Sequence, residues 1–287
     1  MTAVLMVGVA TLDIVCELPA WPREDSETRA DGLRQARGGN AANSAVALRR
    51  LGDYLVDWFG TLGGDAGAAL ARADFAAHGV GCAHAVVIAD GVTPSSCVWL
   101  NRASGTRTIV HYRDLREPRA GEFRSLPLSA YGWIHFEGRN VSQLGAMLDA
   151  ARAAGARVSL EIEKPRDGIE ALWPRADVLL FSRHYARSRG YSSAAALLDR
   201  VARSAPRAEL FCAWGPEGAA WRGADGEAFA SAPLVRAIDT LGAGDVFNAA
   251  VIHGLIQRRP APRVLETACR IAAEKCTQTG FKGVRDE

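Results

Sequence analysis

The sequence predicts an α/β fold: a doubly wound, mainly parallel sheet with a small second β-sheet beside it. Three observations carry that expectation. Apolar runs of strand length alternate with Ala-rich stretches of helical period along most of the 287 residues, the pattern of a parallel sheet covered on both faces. Two stretches, Leu12–Arg37 and Thr93–Arg113, break that alternation without becoming helical. Hydrophobic residues at 48% and charged residues at 23% give the balance of a globular chain that can bury a core without staples. The length fits one large α/β domain as well as two smaller ones.

Val4–Ala10 reads as the first strand. The segment around it is apolar but lacks a basic start, and Asp13 interrupts it, so it is not read as a signal peptide. Helix Ala41–Leu51, strand Val56–Thr61 and helix Gly67–His78 follow. Ser96–Asn101 and Thr106–Tyr112 read as two strands joined by Arg102-Ala103-Ser104-Gly105. Cys97 and Trp99 fall on one side of the first and Val98 and Leu100 on the other, so neither face is polar. Trp21, Val98 and Leu100 are taken as exposed. Trp133–Glu137, Val158–Ile162, Val178–Ser182 and Glu209–Trp214 complete the strands. Ser142–Ala154, Ala194–Ala205, Asp245–Gln257 and Pro262–Thr277 complete the helices, the last two with no strand between them.

Composition excludes several classes. Lys+Arg exceed Asp+Glu by 34 − 32 = 2, so no nucleic acid or other polyanion partner is expected. No apolar run reaches the length of a membrane span. Lys164, Lys275 and Lys282 are the lysines and none follows a glycine, which removes a P-loop. The six cysteines form no Cys-x-x-Cys pair, against a zinc ribbon or a disulfide scaffold; a reduced, cytoplasmic protein is expected. Tyr112-Arg-Asp-Leu115 has Arg119 where a protein kinase needs Asn, and there is no Gly-x-Ser-x-Gly elbow. Cys82 and His84 have no second pair to make a metal site.

The chemistry concentrates in Asp239-Thr-Leu-Gly-Ala-Gly-Asp-Val-Phe-Asn248. Gly242, Ala243 and Gly244 precede an apolar helix, so unpaired amides and the positive end of the helix dipole meet at an anion site. Asp245 lies in the first helical turn, where the dipole favours its ionised form. A carboxylate beside an anion cradle suits deprotonation of a hydroxyl that attacks a phosphoryl group; a capping Asp at an ordinary helix start is the plainer alternative. In Arg37-Gly-Gly-Asn-Ala-Ala-Asn43, Gly39 precedes another helix, and Asn40 and Asn43, three apart, share one side of its first turn. Two amides suit a polyhydroxyl ligand, although Asn40 as a helix cap explains as much. Asp13 follows the first strand, where α/β folds bind ligands.

These two glycine-rich turns, with Asp13, resemble the signatures of the PfkB (ribokinase-like) carbohydrate kinases. The resemblance runs on through Pro22-Arg-Glu-Asp-Ser-Glu27, Asp90-Gly-Val-Thr-Pro-Ser-Ser96, Arg107-Thr-Ile-Val110, Trp133-Ile-His135, Glu137-Gly-Arg-Asn140, Glu163-Lys-Pro-Arg166, Cys212-Ala-Trp214 and Lys275-Cys276, and is closest to the ketohexokinase branch. It implies a ribokinase-like fold over residues 1–287, with a β-sheet lid from about 12–37 and 93–113. It implies Asp245 as base and Gly242, Ala243 and Gly244 as anion hole. Asp13, Gly39, Asn40 and Asn43 would hold the sugar, Arg107 would reach the ATP phosphates, and Gly215, Pro216, Glu217 and Gly218 would form the nucleotide loop. The lid would clasp a second subunit into a homodimer and bring Asp25 to the partner's sugar. The implied reaction is ATP-dependent phosphorylation of a ketohexose, fructose at the 1-hydroxyl, with fructokinase, ribokinase, nucleoside kinase or a non-catalytic sugar sensor as alternatives. The family's Asn-x-x-Glu is missing from Phe181-Ser-Arg-His-Tyr-Ala186. Mg2+ is therefore expected on nucleotide phosphates and water, with no protein ligand named; K+ is a further possible cofactor. Arg139 is left open between a phosphate contact and a partner for Glu137 or Glu163.

Overall fold

A computed structural model describes residues 1–104 and 106–286; Gly105, in the expected turn, and Glu287 lie outside the described residues. In chain order the elements are β1 (Ala3–Val7), β2 (Thr11–Leu18), β3 (Gly32–Gly38), α1 (Asn40–Leu51), β4 (Leu55–Phe59), β5 (Thr61–Leu62), α2 (Ala66–Ala77), β6 (Val80–Gly81), β7 (Val86–Val87), β8 (Ser95–Asn101) and β9 (Arg107–Tyr112). The second half adds α3 (Ala120–Arg124), β10 (Trp133–Glu137), α4 (Val141–Ala153), β11 (Arg157–Ile162), β12 (Val178–Ser182), α5 (Arg183–Ser188), α6 (Ala194–Ala202), β13 (Glu209–Ala213), β14 (Ala219–Gly223), β15 (Gly226–Ala230), α7 (Ala243–Ile256) and α8 (Ala261–Cys276).

The large sheet runs β15-β14-β13-β12-β11-β10-β1-β4-β6. From β13 to β6 every pairing is parallel; β14 and β15 join one end antiparallel. Parallel strands are buried on both faces, and side chains alternate between those faces. Val4 and Met6 of β1 accordingly join one core with α1, α2, α7 and α8, while Leu5 and Val7 join the other with α3, α4 and α6. This doubly wound sheet is the one the alternation predicts. Among the described residues no helix is long and apolar enough to cross a membrane.

The stretches Leu12–Arg37 and Thr93–Arg113 build a separate sheet of order β3-β2-β8-β9. Its register puts Asp13, Val15, Ser96, Val98 and His111 on one face, and Cys16, Leu33, Cys97, Trp99 and Val110 on the other. One expectation fails here. Val98 and Leu100 are buried, packed with Val15 against Leu241, and the exposed side is that of Cys97 and Trp99. Val15, Val98 and Leu100 on the sheet's inner face pack against Leu241, while Asp13, Ser96 and His111 on the same face open onto the cleft described below. Trp21 is exposed as expected.

Candidate active site

The first cleft opens where the parallel strands end, the usual ligand position in such sheets. It has a volume of about 380 Å3 and is lined by Val9 after β1, Glu137 at the end of β10, Glu163 after β11, Ser182 at the end of β12 and Ala213 at the end of β13. Asp13, Ser96, Arg107 and His111 roof it from the small sheet, and Gly39, Asn40, Asn43 and Gly242 to Asp245 close its floor. The sequence-predicted sugar residues other than Asp25 therefore share one cavity with the predicted base and anion turn.

Local geometry explains the glycines. Gly39 begins α1 at φ 99°, and a Cβ there would lie 1.9 Å from the Val9 carbonyl oxygen. A side chain is excluded by backbone, and that close approach ties α1 to the end of β1. Gly242 starts α7 in the left-handed region at φ 81°. At Gly244 a Cβ would meet open space, so the cleft reaches the backbone itself. Ala243 N donates to the Thr240 carbonyl at 3.3 Å, so it is the next amides of the helix start, Gly244 and Asp245, that have the arrangement to meet an anion.

Asp245 sits at the end of a hydrogen-bond chain. Arg37 Nε donates to Asp74 at 2.6 Å, Arg37 Nη1 to Asn43 Oδ1 at 2.8 Å, and Asn43 Nδ2 to Asp245 Oδ2 at 2.7 Å. The chain fixes which end of the Asn43 amide faces the carboxylate and leaves it one free N–H. Asn40 Nδ2 donates to Glu161 at 3.2 Å and to Glu163 at 3.1 Å, leaving its oxygen for a ligand. Asn248 Nδ2 also donates to Glu161 Oε1, at 3.0 Å, while the buried Glu161 Oε2 has no partner. Thr11 donates to Asp13 at 2.7 Å and orients it.

The electrostatics overturn one expectation. The helix dipole does not keep Asp245 in the ordinary carboxylate range. Burial first, then the nearby Glu163 and Glu137, push it up to about 7, against Asn43 and Arg37. Desolvation outweighs a dipole contribution that is usually worth no more than about 2 kcal/mol. Glu161 is held well above its usual value by burial, Asp245, Glu137 and Glu163. Arg139 turns out to be a carboxylate partner, donating to Glu137 at 3.3 Å and to Glu117 at 3.0 Å.

A second cavity of about 540 Å3 adjoins the first and shares Arg107, Ala213, Thr240, Ala243 and Gly244 with it. Gly215, Pro216 and Gly218 line it, beside Ala232–Val235, Phe247, Cys269 and Cys276. Glu217 is exposed and pairs with Arg183 at 3.6 Å instead of lining the cavity. Asp25 lies outside both, in the loop between β2 and β3, in a surface hollow with Arg23, Cys16 and Trp99. Sequence reasoning left Glu161 without a role and weighed Glu137 and Glu163 only as partners for Arg139. Their position at the ends of apolar strands was the available signal. It also left without a role Arg37, which only the folded chain brings to Asn43.

The fold, a large and mostly parallel sheet with a smaller separate sheet over its cleft, is of the ribokinase-like class. The pfkB family carbohydrate kinase profile matches residues 1–284, and the chain belongs to that family. It is 37% identical to the ketohexokinase of Mus musculus over 98% of both chains. Solved structures share the fold: a ribokinase from Giardia lamblia (TM-score 0.84, 15% identity, covering 99% of this chain and 96% of the other) and a fructokinase with bound ATP from Xylella fastidiosa (TM-score 0.79, 21% identity, 99% and 94%).

Proposed function

We propose that this chain is an ATP-dependent ketohexose kinase that phosphorylates fructose at its 1-hydroxyl. The observation that carries the reading is the position of Asp245, buried in the floor of the first cleft and one residue beyond Gly244, which borders both cavities. The full-length similarity to a ketohexokinase supports the choice of sugar.

In this reading the sugar lies in the first cleft against Asp13, Asn40 and Asn43, and the nucleotide in the second along Gly215, Pro216 and Gly218. Asp245 accepts the proton of the sugar hydroxyl as the hydroxyl oxygen attacks the γ-phosphorus in line, and the bond from that phosphorus to the β–γ bridging oxygen breaks to release ADP. The amides of Gly244 and Asp245 take up charge on the transferred group, and Arg107, which borders both cavities, meets the phosphates. Positioning of this kind contributes roughly 7–11 kcal/mol and the amide cradle a few more. Asn40 and Asn43 are held by groups outside the sugar, so their ligand-facing atoms are oriented before binding.

Family kinases use ATP with Mg2+. Among the described residues no cluster of three or more His, Cys, Asp or Glu side chains has the arrangement of a metal site. The unpartnered Glu161 Oε2 fits a cation held through water and nucleotide phosphates, which suits an ion that dehydrates reluctantly. Bound there, Mg2+ would supply charge neutralisation on the phosphates. A non-catalytic sugar sensor has no use for a base at the anion turn. ADP release across ketoses, aldoses and nucleosides, with NMR of the product, tests the proposal. Turnover of a nucleoside or an aldose above fructose, or phosphate on another hydroxyl, overturns the substrate.

A further inference from the structure

Lys275 is one of only three lysines, and its side chain is 0% exposed. Burying an ammonium is costly, and a Met or Leu would fill the same volume without that cost. Burial lowers its proton affinity, against the opposing pull of Asp239. The charge is kept at a particular place. Lys275 Nζ donates to the Asp239 carbonyl oxygen at 2.7 Å and lies 3.5 Å from the Asp239 carboxylate. Asp239 is the first residue of the segment that leads into Gly242, Ala243 and Gly244.

That carboxylate is itself a hub. It accepts Leu241 N at 2.9 Å and Gly280 N at 3.2 Å, with Arg34 at 3.4 Å. The amides of Ile238 and Asp239 donate to the Cys276 carbonyl at 2.7 and 3.1 Å. Phe281 then covers the turn, so that a Cβ on Gly242 would lie 2.8 Å from its ring. The end of α8 and the tail beyond it thus hold the turn through the Cys276 carbonyl, the Gly280 amide, the Phe281 ring and one buried cation, Lys275.

We propose that Lys275 is a positioning residue for phosphoryl transfer: bonded to Asp239, it holds the turn 239–244 so that its amides aim at the transferred group. Lys275 lines neither cavity; it reaches the turn through Asp239 and through the Phe281 ring, whose centroid lies 6.0 Å from its Nζ. The inference rests on the kinase reading of the cleft. It assigns Lys275 a share of transition-state stabilisation rather than of sugar binding, because amides that drift lose the charge that develops in the reaction.

The test uses the full chain with Lys275→Met and Lys275→Gln. Four quantities are measured: kcat, sugar KM, Tm, and the affinity for ADP with aluminium fluoride and sugar as a mimic of the transferring phosphoryl group. The expected result is a kcat about 10–100-fold lower, a sugar KM within about twofold, and mimic binding weakened by the same factor as kcat. Amide exchange should quicken across residues 240–246. A lower Tm with unchanged kcat and mimic affinity overturns the proposal. So does recovery of kcat in Lys275→Met/Asp239→Asn, which would reduce the ammonium to a counter-charge. Should Lys275→Met not fold, Phe281→Leu loosens the same turn with Lys275 in place; it should lower kcat and mimic affinity together, and normal values of both overturn the proposal. A wild-type chain that transfers no phosphate to any sugar sinks the kinase reading instead.

Discussion

Asp245 combines burial with basicity, and the two have opposite consequences for pH. In the unfolded chain its carboxyl titrates near 3.8; folded, it is raised to about 7. A raised pKa means that the fold favours the protonated form. Its contribution to stability is therefore full below the unfolded value and is lost as pH rises through about 7. Asp245→Asn, neutral and of the same shape, should melt higher than the wild type at pH 8 and show no such gain at pH 4. The same substitution should lower kcat by roughly 10²–10⁴ while ATP still binds. Near-normal turnover would remove Asp245 from the mechanism. In the wild type kcat should climb with pH through about 7 as the base loses its proton. Asn43 donates to Asp245 and lowers its pKa, so Asn43→Ala should shift that limb to higher pH. It should also raise the sugar KM by the equivalent of roughly 1–3 kcal/mol, with the ATP KM little changed. An equal rise for both substrates would mark a folding defect.

At the scale of elements, the site depends on how two helices begin. α1 starts at Gly39 and α7 at Gly242, and both helices pack on one face of the sheet, which lets Asn43 meet Asp245 across 202 residues of sequence. Gly39→Ala places a methyl group against the Val9 carbonyl at a φ that alanine resists. We expect a loss of more than about 1 kcal/mol in unfolding free energy, and a higher sugar KM because Asn40 and Asn43 move with the helix. Unchanged denaturation would show that the loop yields. These starts were legible because glycines before an apolar helical period have few other uses. Trp133–Glu137 and Val178–Ser182 coincide with β10 and β12, since central parallel strands are unbroken apolar runs. The antiparallel pair β14 and β15 was not anticipated: Ala219–Gly223 is short and ends in Arg222-Gly223, and only Asp225-Gly226, at the turn into β15, signals a hairpin. Side-chain pairings such as Asn40 with Glu161 were illegible because they form between segments about 120 residues apart.

At the scale of the whole molecule, the small sheet leaves one face uncovered. Leu33 is 71% exposed, Val110 59% and Tyr112 62%, and Cys97 and Trp99 stand between them. The cross-strand register places all five on the face opposite Asp13 and Val98. A four-stranded sheet whose inner face is turned to the cleft and whose outer face exposes these apolar side chains presents a surface that pairing would bury. We propose that two copies clasp these faces about a twofold axis, so that Asp25, in the loop outside its own cleft, reaches the neighbour's sugar. An isologous contact of this kind exchanges the two loops reciprocally. Mixing Asp245→Asn chains with Asp25→Ala chains tests the exchange. Each heterodimer would hold one site with both defects and one with Asp245 and the partner's Asp25 intact. Random pairing should therefore restore about a quarter of wild-type activity, whereas each variant alone stays impaired. Replacing Trp99 and Val110 by Glu should dissociate the pair and raise the sugar KM while leaving the cleft of each chain folded. A chain that sediments as a monomer and is fully active at nanomolar concentration would show that one copy completes its own site.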